Sequence, residues 1–393
     1  MAFDPAVAFA YARALARPRR VGTAANDRVI AETAERLKSF GCAVELDVFE
    51  CSSRGEHAVA LYVLSAQILI LITFWLWGLS AWVAVLPALI LAALILFSGQ
   101  LFRLAARASL SPLGGTRISA LRRWWLARGP RYRTANIVAR VPVQAGAAPR
   151  PGLILMAHSD SKSQALPLPA RMALVGVASL AACLFTLLTI VRVFVPAVTS
   201  WAALAGVVAL VAGLPLMFLY IGGSGNASPG AVDNASGVGL VVHLAECLCA
   251  APPLVPVTVV ITGAEELGLL GAMAYLRDVG REALRGARIL NVDGIGTSGR
   301  LAIAGGGSGG LAQAVAEAAR AQQIPLGRLL PIGAQFDHLP FADAGLDALT
   351  LATTGTDALS VHTPADNVTR LDEDGFRRAG LVALEVVERL GQQ

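Results

Sequence analysis

A chain of 393 residues with 55% hydrophobic and only 15% charged residues is too apolar for an ordinary soluble enzyme, so part of it is expected in lipid. The net charge of +5 comes mainly from arginines crowded around the apolar stretches, which argues for a membrane surface and against nucleic acid as partner. The five cysteines (Cys42, Cys51, Cys183, Cys247, Cys249) lack any C-x-x-C spacing, which excludes a zinc knuckle and a disulfide framework and leaves reduced packing residues.

The opening MAFDPAVAFAYARALARPRR has an acid at Asp4 and no long apolar core, so no secretory signal peptide is expected. A helical pattern over Asn26–Phe40 and a strand over Ala43–Phe49 follow. The first apolar block, Ala58–Phe97, is about twice the ~20 residues that cross a bilayer. It breaks at Gly78-Leu79-Ser80 among Trp75, Trp77 and Trp82, as a transmembrane hairpin would at an aromatic belt. Ile118–Arg128, ISALRRWWLAR, mixes arginine with tryptophan and leucine and reads as an interfacial helix.

Strands are expected at Asn136–Val143 and Leu153–Ala157. A second apolar block, Met172–Ile221, breaks at Pro196, with Arg192 near the tip. Beyond it come helix Gly237–Ala250, strand Val257–Thr262, helix Leu267–Asp278, strand Ile289–Val292, helix Ser308–Gln322, strand Ala348–Ala352 and helix Asp374–Leu390. Gly305–Gly310 is glycine-rich but lacks the lysine context of a phosphate cradle. The alternation predicts an α/β fold, a mostly parallel doubly wound sheet flanked by helices, with four transmembrane helices in two hairpins inserted. Residues 1–57, 133–170 and 223–393 then form one domain, 58–98 and 171–222 the hairpins, and 99–132 an Arg/Trp-rich interfacial segment.

A hairpin returns the chain to the side it left. Arg54, Arg103, Arg107, Arg117, Arg122, Arg123, Arg128 and Arg171 lie at the ends away from the tips, which by the positive-inside rule sets the domain on the cytoplasmic side of a multi-pass membrane protein, with a bacterial inner membrane as the expected setting.

In open α/β sheets functional residues collect at the carboxyl ends of strands. Here LILMA ends in His158-Ser159-Asp160, VTVVIT in Gly263-Ala264-Glu265-Glu266 and ARILNV in Asp293, while Asp233 and His362 lie in loops. Singly, each has an ordinary structural reading, such as carboxylates favoured at a helix start. Together, imidazole and carboxylate donors without cysteine suit one or two zinc ions.

The ordered set HSD, VDNASG, GAEELGLLGA, NVDGIG, FDHLPFADAG and VHTPADN resembles the co-catalytic dizinc aminopeptidases of metallopeptidase family 28, in clan MH, and RPRRVGTAANDRVIAETAERLKSFGCAVELDVF resembles their N-terminal helix and first strand. The resemblance implies two Zn2+ ions, one held by His158, Asp233 and Asp293 and the other by Asp233, Glu266 and His362, with Asp233 bridging. It further implies Glu265 as general base, Asp160 as the carboxylate that orients His158, a hydroxide between the ions, and a peptide as substrate. The sequence departs from the family in the HSD motif, which lacks an aromatic middle residue, in Val232, where many relatives have an acid, and in the two hairpins.

His338, in Phe336-Asp337-His338, is expected as a pocket-wall residue, and His57 and His243 as structural. The fold also allows a carboxypeptidase, a glutaminyl cyclase or a non-catalytic receptor or scaffold, and the spans allow a transporter, although their interiors hold scarcely a charge. The second hairpin lies between Asp160 and Asp233 on tethers of about ten residues, which reach at most ~35 Å, so the site should open near the membrane surface. The sequence sets no oligomeric state.

Overall fold

The computed structural model describes residues 3–110, 130–146, 152–195, 201–221, 223–306, 309–330 and 334–392. The first element, helix α1 (Pro5–Leu15), begins where Asp4 accepts from the Ala6 N–H at 2.9 Å, with Pro5 at its first position. Its buried face is mostly alanine, Ala8 and Ala12, so it carries no strong apolar period, and sequence patterning gave no helix here. Helix α2 (Ala24–Ser39) is capped by Thr23 and buries Val29, Ile30, Ala34 and Leu37, a stripe at helical spacing.

Strand β1 (Ala43–Ser52) leads into α3 (Arg54–Trp77), α4 (Ala81–Leu96) and α5 (Ser98–Ser109), and β2 (Arg131–Arg140) returns antiparallel to β1. Strand β3 (Leu153–His158) is followed by β4 (Ser163–Gln164), then by α6 (Leu168–Phe194), α7 (Ala202–Ile221) and β5 (Ser224–Gly225). The remainder alternates α8 (Ser236–Ala250), β6 (Val257–Thr262), α9 (Leu270–Val279), β7 (Arg288–Val292), β8 (Arg300–Gly305), α10 (Gly310–Ala321), β9 (Gly327–Arg328), α11 (Leu339–Asp343), β10 (Asp347–Thr354) and α12 (Glu373–Gln392).

The main sheet has eight strands in the order β1-β2-β6-β3-β7-β10-β8-β9. Its centre, β6-β3-β7-β10, and the edge pair β8-β9 are parallel, as the expected mostly parallel sheet requires, whereas β1-β2, β2-β6 and β10-β8 are antiparallel. β8 reads RLAIAG and runs into the glycine-rich stretch, which disguised it as loop. β3 is buried along its whole length, as a central strand covered on both faces must be.

Three helices, Ala58–Trp77, Leu168–Phe194 and Ala202–Leu219, are long and apolar enough to cross a membrane. The expected fourth span is a bent one: Ala81–Leu96, 16 residues long, turns by 69° into Ser98–Ser109, and the two together are long and apolar enough for a fourth span. These helices share a core of their own around Trp77, Phe185 and Leu91, while Leu71, Trp75, Trp82, Leu86, Leu180 and Phe194 face outward. The Arg192 guanidinium sits 5.1 Å over the Trp77 ring. The expected interfacial helix Ile118–Arg128 and the break at Pro196 lie outside the described residues.

β1 pairs antiparallel with β2 and β2 with β6, so β1 runs in the same direction as the central strands. Its carboxyl end, which enters the first hairpin, therefore lies at the same pole of the sheet as the carboxyl end of β3, which enters the second. Integral spans predict that alkaline carbonate washing leaves the protein in the membrane pellet; release into the supernatant would contradict them.

Candidate metal centre

Three adjacent strands deliver the central groups. β3 ends on His158, β6 is followed by Glu265 and Glu266, and β7 by Asp293. Asp233 comes from the loop before α8 and His362 from the loop after β10. All five expected ligands converge, in two sets that share Asp233: His158, Asp233 and Asp293, with ligand atoms within 4.8 Å of one another, and Asp233, Glu266 and His362, equally close.

Asp233 is the hinge between them. Its Oδ1 lies 2.9 Å from His158 Nε2 and its Oδ2 lies 2.9 Å from His362 Nε2. Asp293 Oδ2 lies 3.7 Å from His158 Nε2, and Glu266 Oε1 lies 3.2 Å from His362 Nε2. His158 Nε2 and Glu266 Oε1 are buried and make no hydrogen bond among the described residues. Unsatisfied buried donor atoms are rare unless something fills the space between them. Nitrogen and carboxylate oxygen atoms in two such sets fit zinc.

The supports are specific. Asp160 accepts from the N–H groups of both Glu265 and Glu266 at 3.1 Å, and so fixes the loop that carries them. Its carboxylate is 3.6 Å from His158 Nδ1, beyond a hydrogen bond, and its backbone carbonyl is nearer at 3.2 Å. The orienting contact to His158 is thus the Asp160 carbonyl. Asp366, four residues past His362, accepts from Val232 N–H at 2.7 Å and Asp233 N–H at 3.3 Å, so one loop carries the candidate ligand His362 and anchors Asp233. Gly230 has φ +59°, and a Cβ there would lie 2.5 Å from Asp233 O and 2.9 Å from Arg19 Nη1.

Sequence reasoning passed over Arg19 and Lys162. Arg19 is 1% exposed and donates to the carbonyls of Ser159, Pro229 and Gly230 at 2.7, 2.6 and 2.9 Å, which ties the β3 end to the Asp233 loop. Lys162 Nζ reaches Glu266 Oε2 at 2.8 Å. Both lie in stretches that were read for neighbouring motifs, RPRR and HSDSK, where an extra cation looks like any surface one.

Burial pushes Glu265 well above the usual carboxylate range, opposed by His158 and reinforced by Glu266, Asp337 and Asp293. Burial likewise raises Asp293 to about 6. Glu266 would also be raised by burial, but His362 and Lys162 hold it at about 2. Burial lowers His362, but Glu266 and Asp233 outweigh it and raise the imidazole to about 9. Two neighbouring glutamates therefore carry opposite proton affinities, as separate roles require.

His338 stays off the ligand sets. It is buried, with Nδ1 2.6 Å from Thr350 Oγ1, and burial lowers it to about 4. Its neighbour Asp337 takes a hydrogen bond from Thr262. His243 is structural, with Nδ1 2.9 Å from Glu246 Oε2 and Nε2 accepting from Asp4 N–H at 3.0 Å. The His57 side chain lies outside the described residues.

A mixed sheet with both ligand sets at the carboxyl ends of its central strands defines an α/β protein of the zinc aminopeptidase fold. Residues 219–387 match the model of peptidase family M28. It is 31% identical over 177 residues to Aminopeptidase YwaD of Bacillus subtilis, a match that covers 42% of this chain and 39% of that relative's length. Among solved structures it resembles the aminopeptidase from Aneurinibacillus sp. strain AM-1, with a TM-score of 0.59, 14% identity and coverage of 98% of this chain and 93% of the other. It also resembles the glutaminyl cyclase of Bacteroides thetaiotaomicron, with a TM-score of 0.55, 14% identity and coverage of 99% and 98%.

Arg19→Leu takes the guanidinium donor from the carbonyls of Ser159 and Pro229 and leaves Gly230 O with the Ala235 N–H alone, so a stability loss of roughly 3 kcal/mol is expected. It would appear as a lower melting temperature in detergent, and an unchanged midpoint would deny Arg19 this role. His338 has a folded pKa of about 4, below its unfolded 6.5, so its contribution is present above pH 6.5 and is lost as pH falls through 4. The stability advantage of wild type over His338→Gln should therefore shrink between pH 7 and pH 4; an advantage that grows would reverse the sign.

Proposed function

We propose that this protein is a membrane-embedded, two-zinc aminopeptidase that removes N-terminal residues from peptides. The observation that carries the reading is Asp233, whose two oxygens each face a different histidine at 2.9 Å, the arrangement a bridging carboxylate requires. On this reading His158, Asp233 and Asp293 hold one zinc, and Asp233, Glu266 and His362 the other.

When bound, the two ions would lower the pKa of a water held between them and polarise the scissile carbonyl. The protein's part is proton handling and orientation. Glu265 Oε2 lies 3.9 Å from His158 Nε2, at the edge of the first ligand set, and its side chain is almost fully buried. A carboxylate whose affinity for protons is raised by burial can take a proton from water and pass it to the leaving amine near neutral pH. Asp160 holds that glutamate in register by accepting from its N–H, and Arg19 and Asp366 hold the bridging aspartate.

The domain is residues 1–57, 133–170 and 223–393, with hairpins at 58–98 and 171–222 and the arginine-rich side facing the cytoplasm. Both hairpins spring from the pole that carries the ligands, which supports a site beside the bilayer and a peptide substrate presented there. The likeness in fold to a glutaminyl cyclase supports a second reading, cyclisation of an N-terminal glutamine. A metal content near one per chain would favour it over the two-zinc hydrolase.

Glu265→Gln should lower kcat on aminoacyl chromogenic substrates by roughly a hundredfold to ten-thousandfold while KM and zinc content stay near wild type. Cleavage at the wild-type rate would remove Glu265 from the mechanism.

A further inference from the structure

The two metal positions are supported by different parts of the chain. His158 and Asp293, which belong only to the first, stand at the ends of β3 and β7 in the rigid centre of the sheet. Glu266 and His362, which belong only to the second, are both gripped from one short segment, residues 162–164. Lys162 Nζ contacts Glu266 Oε2 at 2.8 Å and donates to Glu266 O at 3.1 Å. Two residues on, Gln164 Oε1 lies 2.9 Å from His362 Nδ1, and Gln164 N–H donates to His362 O at 2.8 Å. Residues two apart in an extended chain share a face, so this one segment can reach both ligands.

That segment is also the root of the second membrane hairpin. β4 pairs antiparallel with β5, Ser163 opposite Gly225 and Gln164 opposite Ser224, and this ribbon closes the loop that contains α6 and α7.

The two oxygens of Glu266 have unequal surroundings. Oε1 faces His362 Nε2, is buried and has no hydrogen-bond partner among the described residues, whereas Oε2 is taken by the Lys162 ammonium. A carboxylate with both oxygens free can bind a zinc ion with either or both. We infer that Lys162 confines Glu266 to ligation through Oε1 alone, and that with Gln164 it makes the root of the second hairpin the support of the second zinc. The ion so held is bound less tightly and keeps room for a donor from the substrate, for which the free N-terminal amine has the right chemistry. Lys162 is a positioning residue in this account, and the inference rests on the two-zinc reading above.

The sign of the effect separates this role from a merely structural one. Loss of a structural contact would weaken the second zinc. Removal of Lys162 should instead tighten it, because Glu266 regains its second oxygen and the site loses a positive charge. Removal of Gln164 should do the reverse, since a ligating histidine loses the acceptor that orients it.

The test is calorimetric zinc titration of the chelator-stripped full-length protein in detergent, with the step that a His362→Ala variant lacks marking the second zinc. Lys162→Met should bind that zinc roughly tenfold more tightly, with KM for an aminoacyl substrate raised, and Lys162→Arg should behave as wild type. Gln164→Leu should weaken the same step by roughly tenfold to a hundredfold, and the first step should stay in place throughout. An unchanged or weaker second step in Lys162→Met overturns the inference. Wild-type protein that takes up a single zinc overturns the two-zinc reading itself, an outcome visible before any Lys162 variant is made.

Discussion

The organisation of this molecule centres on one carboxylate that faces two histidines at once. Asp233 sits 2.9 Å from a histidine on each side, and neither histidine is close to it in sequence. A side chain with two torsions cannot hold both distances unless its backbone is fixed from several directions. Asp366 binds its N–H and that of Val232, Arg19 binds the carbonyls of Pro229 and Gly230 on the approach, and Gly230 adopts the left-handed conformation that lets these groups close in. The N-terminal segment, the loop after β10 and the loop before α8 are thereby joined around one residue.

The two apolar helical insertions meet the same framework. The first hairpin leaves β1 beside the glutamate loop, where Gly55 comes close enough that a Cβ would lie 2.9 Å from Leu267 O, and Ala106 of α5 packs with Ala264, Leu267 and Leu270. The second leaves through the ribbon whose Gln164 contacts His362. Helices that carry no chemical groups of their own are thus seated against the loops that do, and a shift of either hairpin would be felt first at Glu266 and His362.

Local regularity decided what could be read from the chain. The candidate ligands His158, Glu266 and Asp293 were legible because each follows a buried run, as His158 ends LILMA and Asp293 follows NV, and strand ends are where polar groups emerge, whereas Asp233 and His362 lie in loops and were legible only through the family's motifs. The strands of the parallel centre were legible for the same reason. Helix α1 was not, because its buried face is Ala8 and Ala12, chosen for close approach to Gly239. β8 was not, because its glycines imitate a loop. The shape of the fourth span was not legible, since composition measures apolar length and does not register the 69° bend after Leu96.

By itself, the sequence determined the α/β class, the two apolar insertions and the identity of the five candidate ligands, because each of these depends on residue type and short-range order. Tertiary structure alone decided the mixed sheet, the pole at which the insertions and the ligands meet, and the parts played by Arg19, Lys162, Gln164 and Asp366. Those four act on groups far away along the chain, from Arg19 on Gly230 to Gln164 on His362. An ordinary-looking cation or amide acquires such a role only when folding brings a buried carbonyl or a ligand's second polar atom within hydrogen-bond reach.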